Sequence, residues 1–383
     1  MAAGWLAKAR LPAAVGVVPR DDRRSAVSSP PVRVAVSLLT LVPGISGGSE
    51  TYARELCRAL ARVGTHDYEA LVPTLAPAAA DGLAGTVATG YRASTTTAGR
   101  LAAMGLAAVR PGSLRRRLEE SDVVHYPLTV PVPPTRRPTV LTLLDVQHHD
   151  LPELFPRGER LFRRLAYDRA ARQAGQVIVI SDWVRGRVID RLGLDPARVH
   201  AIQLAVDHER FTPDHAVGRE PLLYYPARPW PHKNHARLYE AFALLRKERP
   251  ELRLVLTGAG HDARRLPEGV EALDAPLAAR IDLYRRAEAL VFPSLYEGFG
   301  LPPLEAMACG CPVAVSDAGS LPEVVGDAAV RFDPHDPEAI AAGVREARSR
   351  AAELTALGLA RAARFTWDAT ARAHDRVYEL ASA

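Results

Sequence analysis

Cysteine is scarce in this 383-residue chain. The three that occur, Cys57, Cys309 and Cys311, are too few and too unevenly spaced for a disulfide framework, and Cys309-x-Cys311 has no second pair to complete a zinc site. A reducing cytoplasm suits such a chain. Long apolar runs are also missing: no stretch of about 18 apolar residues is present to form a transmembrane helix. Residues 1–31 lack a compact apolar segment of the signal-peptide kind, are rich in Pro, Ala and Arg, and read as a disordered leader. Nor is there a concentrated basic face. The formal charge is +5, but Lys8, Arg10, Arg20, Arg23 and Arg24 lie in that leader against Asp21 and Asp22, which leaves the rest near neutral. Nucleic-acid binding is therefore not expected, while small anionic ligands or an anionic membrane surface stay compatible.

What is present is a globular balance, 48% hydrophobic and 24% charged residues. The chain is too long for one ordinary core, so two domains are expected. From Arg33 a short β-rich run leads into Pro43-Gly44-Ile45-Ser46-Gly47-Gly48, after which Tyr52, Leu56, Leu60 and Val63 recur at helical spacing. This reads as strand, glycine loop, helix. Glu69–Val72, Val123–His125, Thr139–Leu144 and Gln176–Ile180 read as further buried parallel strands. A second series follows Phe211-Thr212-Pro213-Asp214, with strands at Leu222–Tyr225, Leu252–Thr257, Ala289–Phe292 and Val313–Ser316. Helices alternate with them near Ala236–Arg246, Ala279–Arg286 and Leu304–Ala308. The predicted organisation is α/β, with two Rossmann-like doubly wound domains at 32–210 and 211–364. Residues 365–383 add a terminal helix that can cross back to the first domain. Both sheets should point the carboxyl ends of their strands into a shared cleft.

The segment Phe292-Pro293-Ser294-Leu295-Tyr296-Glu297-Gly298-Phe299-Gly300-Leu301-Pro302-Pro303-Leu304-Glu305 puts one carboxylate on a glycine-rich turn directly after a strand. A second follows eight positions on, in the first turn of the next helix. Gly298 and Gly300 let the backbone approach a ligand, and a helix N-terminus favours bound phosphate. Carboxylates beside such a turn can accept hydrogen bonds from sugar hydroxyls; the alternative is a plain strand–turn–helix junction with Glu305 as a helix-entry charge. Arg228 and Lys233, in Tyr224-Tyr225-Pro226-Ala227-Arg228-Pro229-Trp230-Pro231-His232-Lys233-Asn234-His235, place two fixed cations five positions apart at another helix entrance. Such a pair can grip a diphosphate and stabilise it as it leaves. Two solvated surface cations are the bland reading.

The acidic stretch resembles the Glu-x7-Glu motif of retaining glycosyltransferases of the GT-B fold, in the large family 4 group. The likeness continues through Gly310-Cys311-Pro312-Val313-Ala314-Val315-Ser316 and Gly319-Ser320-Leu321-Pro322-Glu323. The resemblance implies that Glu297 contacts the donor sugar and Glu305 holds the ribose, with the backbone at Gly298, Phe299, Gly300 and Leu301 near sugar and phosphates. It also implies that Arg228 and Lys233 bind the donor diphosphate and that Gly47 and Gly48 belong to a loop approaching the donor phosphate, although a mere tight turn would also use these glycines. That loop is no P-loop, since no Lys followed by Ser or Thr completes one.

Leu144-Asp145-Val146-Gln147-His148-His149 resembles a family segment that often opens His-Asp-Leu-Gln-His. The leading histidine is Leu144 here, so its role is either lost or taken by His148 or His149, each of which reads equally well as a structural loop residue. His148 is carried forward as a catalytic candidate, and His125 as another residue facing the cleft. The resemblance implies a hexosyltransferase with no cofactor, using a nucleotide-diphosphate sugar, mannose-like by preference, and a hydroxyl acceptor in polysaccharide, glycolipid or natural-product biosynthesis. No Asp-x-Asp stands near the proposed donor site, and Asp333 and Asp336 read as a turn and helix cap, so no metal is expected. Basic stretches Arg115–Arg117 and Arg160–Arg164 leave room for peripheral contact with the inner face of a membrane, or for solvated helix faces. Two enzyme alternatives stay open: a sugar-nucleotide epimerase of the same fold, and an NAD-binding oxidoreductase, suggested by Gly258-x-Gly260-x-x-Ala263 with Asp274 downstream. A non-catalytic nucleotide-sugar binder is a third.

Overall fold

The computed structural model describes residues 30–44 and 47–383. The leader reading for residues 1–31 thus lies outside the described residues, save for Pro30 and Pro31, as do Ile45 and Ser46 of the glycine loop.

Two parallel sheets organise the chain. The first contains β1 (Arg33–Ser37), β2 (Asp67–Val72), β3 (Ala84–Val87), β4 (Val123–Tyr126), β5 (Thr139–Thr142), β6 (Gln176–Val179) and β7 (Val199–Ala201), in the order β3-β2-β1-β4-β5-β6-β7. The second contains β8 (Glu220–Pro226), β9 (Arg253–Thr257), β10 (Val270–Leu273), β11 (Ala287–Phe292), β12 (Val313–Ser316) and β13 (Val330–Phe332), in the order β10-β9-β8-β11-β12-β13. In each sheet the chain starts in the middle, winds outward on one side, then returns to wind outward on the other. The direction reverses between β1 and β4 and again between β8 and β11, and such reversals open the crevice where ligands of doubly wound sheets lie.

The central strands are mostly buried and so read in sequence as short, largely apolar runs. The four strands that a search for such runs does not find are β3, β7, β10 and β13, and these are the four sheet edges. An edge strand is covered on fewer sides, so it tolerates exposed polar residues: every residue of Ala84–Val87 keeps some solvent exposure, and Val270–Leu273 buries only Val270.

The terminal helix Trp367–Ser382 packs on the helix Gly48–Val63 and on strands of the first sheet. A buried polar chain anchors it. His374 Nδ1 lies 2.8 Å from the Thr370 carbonyl, which can only accept, so Nδ1 carries the proton and Nε2 accepts from the Tyr52 hydroxyl at 2.9 Å. Tyr52 then accepts from Thr142 (2.8 Å), Thr142 accepts from His125 Nε2 (2.8 Å), and Tyr378 donates to His125 Nδ1 (2.9 Å). One carbonyl therefore fixes the direction of every bond in the chain. The expectation that His125 faces the cleft is corrected here: its side chain is fully enclosed between β5 and the terminal helix, because a neutral imidazole can satisfy two buried hydroxyls at once.

Candidate active site

The loops after β8 and β11 face each other at the reversal point of the second sheet, and their backbones are tied together. Asn234 donates to the Pro293 carbonyl (3.1 Å) and to the Pro334 carbonyl (2.7 Å), and Leu295 N–H donates to the His232 carbonyl (2.8 Å). Tyr225 donates to the Lys233 carbonyl at 2.6 Å. Asn234 adopts φ +61°, the left-handed conformation that ends the short turn Pro231–Lys233 and turns the chain into the helix His235–Glu248. This geometry sets the ammonium of Lys233 2.6 Å from Glu297 Oε1, with only 14% and 13% of the two side chains exposed.

The acidic turn is held from behind. The Ser320 hydroxyl donates to the Phe299 carbonyl (2.7 Å) and its backbone N–H to the Glu297 carbonyl (3.2 Å), and Gly319 packs so close that a Cβ there would lie 2.8 Å from the backbone of Glu297. Gly300, at φ +115°, precedes the helix Leu301–Ala308. Glu305 is the fifth residue of that helix rather than a first-turn residue as expected from the sequence, because the helix starts at Leu301, ahead of the two prolines, and not at Leu304. Its carboxylate accepts from Tyr284 Oη at 2.7 Å, and burial raises its pKa above the ordinary carboxylate range against the opposing effects of Tyr284 and Arg280.

The first sheet completes the cleft. Ser181 donates to the Gly298 carbonyl at 2.8 Å, and a Cβ on Gly298 would meet the Leu144 carbonyl at 2.7 Å, so the acidic turn touches the loop after β5. Arg228 donates to the Gly44 carbonyl at 2.8 Å, which brings the basic loop to the glycine loop after β1. Arg228, Lys233, Glu297, Gly298, Phe299, Gly300, Leu301, Glu305, Gly47 and Gly48 all line one cleft of about 1550 Å³.

His148 is the exception among the proposed site residues. It does not line the cleft; it is fully buried, with Nε2 3.0 Å from Asp168 Oδ1, while His149 Nε2 lies 2.7 Å from the other oxygen. Asp168 gathers both rings behind the loop, and their hydrogen bonds hold its carboxyl below the usual range even though burial pushes it up. These three groups have ligand atoms within 4.8 Å of one another and are the ones able to hold a cation among the described residues. Asp333 and Asp336 instead accept from local backbone N–H groups, those of His335 and Glu338.

Residues 207–358 match the family described as Glycosyl transferases group 1, and residues 46–210 match Glycosyltransferase Family 4. O-antigen chain mannosyltransferase B of Escherichia coli is 31% identical over 278 residues, covering 64% of this chain and 71% of that protein. The MMP alpha-(1->4)-mannosyltransferase of Mycolicibacterium hassiacum is 34% identical over 234 residues, 56% of each chain. The chain belongs to the group 1, family 4 glycosyltransferases. Its fold is GT-B, shared with the Anabaena protein HepE solved with UDP-glucose, which superposes with a TM-score of 0.66 at 18% identity over 91% of this chain and 98% of that one.

This glycosyltransferase has no use for Gly258-x-Gly260-x-x-Ala263 as a dinucleotide fingerprint, and the comparisons give the oxidoreductase alternative no support. The fingerprint needs an α-helix whose N-terminus receives pyrophosphate, whereas a three-residue 3₁₀ turn, Ala263–Arg265, follows here. Gly258 (φ +119°) serves close packing: a Cβ there would lie 3.0 Å from Arg228 N. The sequence also gave no sign of what Glu323 does. Its carboxylate takes the backbone N–H groups of Asp182 (3.1 Å) and Trp183 (3.0 Å), at the start of the helix Asp182–Leu192, and the Gln203 amide (2.9 Å). An acid at a helix N-terminus is a readable signal, but this helix is 140 residues away from the acid in sequence.

Proposed function

We propose that this glycosyltransferase moves a hexose, mannose by preference, from a nucleoside-diphosphate sugar to a hydroxyl acceptor with retention of anomeric configuration and without a metal ion. The observation that carries the reading is the convergence of Arg228, Lys233 and Glu297 on one cleft at the strand-order reversal. Mannose rests on the names of the relatives in Escherichia coli and Mycolicibacterium hassiacum. A volume of about 1550 Å³ exceeds the roughly 300–1,000 Å³ of a single small-ligand pocket, which suits a donor and an acceptor together.

In the proposed reaction the bond from the sugar's anomeric carbon to the phosphate oxygen breaks, and the acceptor oxygen bonds to that carbon on the same face. The acceptor's proton passes to the departing phosphate oxygen. Arg228 and Lys233 neutralise the charge that develops on the diphosphate, supplying the positive charge for which other enzymes use a divalent ion. Glu297 orients the sugar and Glu305 the ribose. The contacts of Gly298 with Leu144 and of Arg228 with Gly44 support a cleft that excludes water and so limits donor hydrolysis.

The acceptor belongs to polysaccharide, glycolipid or natural-product synthesis, and the reaction is placed in the cytoplasm. No helix among the described residues is long and apolar enough to cross a membrane. Exposed Leu161 and Leu165 beside Arg157 and Arg164 support peripheral contact with an anionic membrane more than Arg115 and Arg117 do, since these are paired with Glu119, Glu69 and Glu120.

A screen of nucleotide sugars for release of nucleoside diphosphate, run in the presence of EDTA, tests the proposal. Release from one mannose donor above all others supports it. Release from none, or release abolished by EDTA and restored by a divalent ion, counts against it.

A further inference from the structure

The lining of the cleft changes character along its length. Its donor half presents Arg228, Lys233 and Glu297, whereas the stretch bordered by the helices Thr97–Val109 and Arg157–Arg163 presents Leu101, Met104, Leu154, Phe155, Phe162 and Tyr167. None of these six apolar and aromatic side chains is fully buried: Leu101 is 44% exposed, and the other five are partly exposed. Leu101 and Met104, three positions apart, share one helix face. The rings of Phe162 and Tyr167 meet edge-on with centroids 5.9 Å apart, Tyr167 standing in the π-helical turn Arg164–Asp168 that continues the second helix. Partial removal from water raises the pKa of the Tyr167 hydroxyl; Arg163 and, from the helix Thr97–Val109, Arg100 oppose the shift, so both helices border the same recess. These are the two cleft-lining cations on the helices. Arg163 lies 4.6 Å from the Phe155 ring centroid and 5.4 Å from that of Tyr167 and pairs with Glu159 at 2.9 Å, while Arg100 donates to Thr97 at 3.3 Å. Apolar surface therefore dominates this stretch.

The apolar wall starts beside the reacting centre and continues onto the surface. Arg163 reaches to 3.8 Å from Asp145, the residue after Leu144, whose carbonyl abuts Gly298 of the acidic turn. Outside the cleft lining the same elements carry Leu106, Val109, Leu161 and Leu165, which are between 53% and 80% exposed. Apolar surface of this extent marks an interaction site, and here it adjoins the cleft on the side away from the donor loops. That is the side left to the acceptor.

We infer that the acceptor is an amphiphile whose hydroxyl-bearing head meets the acidic turn and whose saturated alkyl chain lies along this wall. This rests on the reading of the cleft as a site for donor and acceptor together. A sugar offering only hydroxyls would leave the six side chains wet and would find few polar partners among them, whereas a chain removes their surface and its own from water. A chain suits the wall better than a compact aromatic group, because the apolar side chains continue from the cleft onto exposed positions of both helices, farther than one ring extends.

Calorimetric titration of the full chain, in the presence of GDP, with butyl, hexyl and octyl mannosides below their aggregation thresholds tests this. Each fully buried methylene strengthens binding by roughly fourfold, so octyl mannoside should bind at least tenfold more tightly than butyl mannoside, with hexyl mannoside between them. Phe162→Ser and Met104→Ser should each shrink the octyl-to-butyl ratio at least threefold, and Phe162→Leu should keep it. The ratio is taken within one protein, so a partly unfolded sample does not imitate its loss, and thermal melts check the fold of each variant. Equal affinity along the series, no binding of octyl mannoside, or a series unchanged in both serine variants would overturn the assignment. So would phenyl mannoside binding more tightly than hexyl mannoside with no gain from hexyl to octyl, which would put a flat ring where the chain is placed. Titration with GDP alone separates the two readings: GDP binding with a flat series would remove the alkyl chain only, whereas a steep series without GDP binding would remove the donor site and, with it, the wall's role in holding an acceptor.

Discussion

The ammonium of Lys233 lies 2.6 Å from a carboxylate oxygen of Glu297, a residue 64 positions away on the neighbouring loop. The pair is mostly shielded from solvent, so each charge has given up water for the other. A diphosphate entering the cleft offers Lys233 a second anion, and a sugar hydroxyl offers Glu297 a donor. The pair therefore positions both groups before substrate arrives.

Lys233→Ala and Glu297→Gln should each lower the rate of transfer at least tenfold, about 1.4 kcal/mol of transition-state stabilisation. Because the residues contact each other, the double variant should lose less than the product of the two single losses. Steady-state rates for the four proteins of the cycle decide this, and strict additivity would show that the pair does not act together.

Gly298→Ala puts a methyl group 2.7 Å from the Leu144 carbonyl, a backbone atom that cannot swing away. The expected result is a fold close to the wild type and a transfer rate at least tenfold lower, because the acidic turn must retreat from the loop after β5. A ratio of donor hydrolysis to transfer that rises in the variant would mark a cleft that no longer excludes water. Unchanged rates would show that the contact between the sheets is dispensable.

Stability should depend on pH through His374. Burial lowers its pKa to about 4, and the direction of its hydrogen bonds requires the neutral ring. The unfolded chain binds the proton near the ordinary value of about 6.5, so this contribution is complete above that value and is lost as pH falls from there towards 4. The loss from this one residue is on the order of 3 kcal/mol. Burial also lowers His235 and His232 to about 4, and holds His125 well below its ordinary value, adding in the same direction. Urea unfolding between pH 7 and 4.5 should show a shallower pH slope in His374→Gln than in the wild type; equal slopes would refute the assignment.

The chemistry-bearing loops could be read from sequence because each follows a strand with a buried apolar stretch, Leu222–Tyr225 or Ala289–Phe292, which marks where the loop begins. Glu297, Arg228 and Lys233 stand out for that reason. The four edge strands could not be read, since partial exposure breaks the apolar run. His148 and His125 misled in opposite settings but for one cause: a histidine at the end of a strand or in a loop has the same local sequence whether it faces a ligand or a buried partner. Asp168, Thr142 and Tyr378, which decide between the two, lie 20, 17 and 253 residues away. Glu323 escaped notice for the same reason. Its partners are two backbone N–H groups on a helix of the first sheet and the Gln203 amide, and nothing near it in sequence announces them.

The central claim is that Arg228 and Lys233 hold one diphosphate, and the most direct measurement compares binding of a nucleoside diphosphate with that of its monophosphate. Titration of the wild type with GDP and GMP should show a clear preference for GDP. In Arg228→Ala and in Lys233→Ala that preference should shrink at least fivefold, about 1 kcal/mol, while GMP binding changes little. A preference for GDP that survives both substitutions intact would contradict the account.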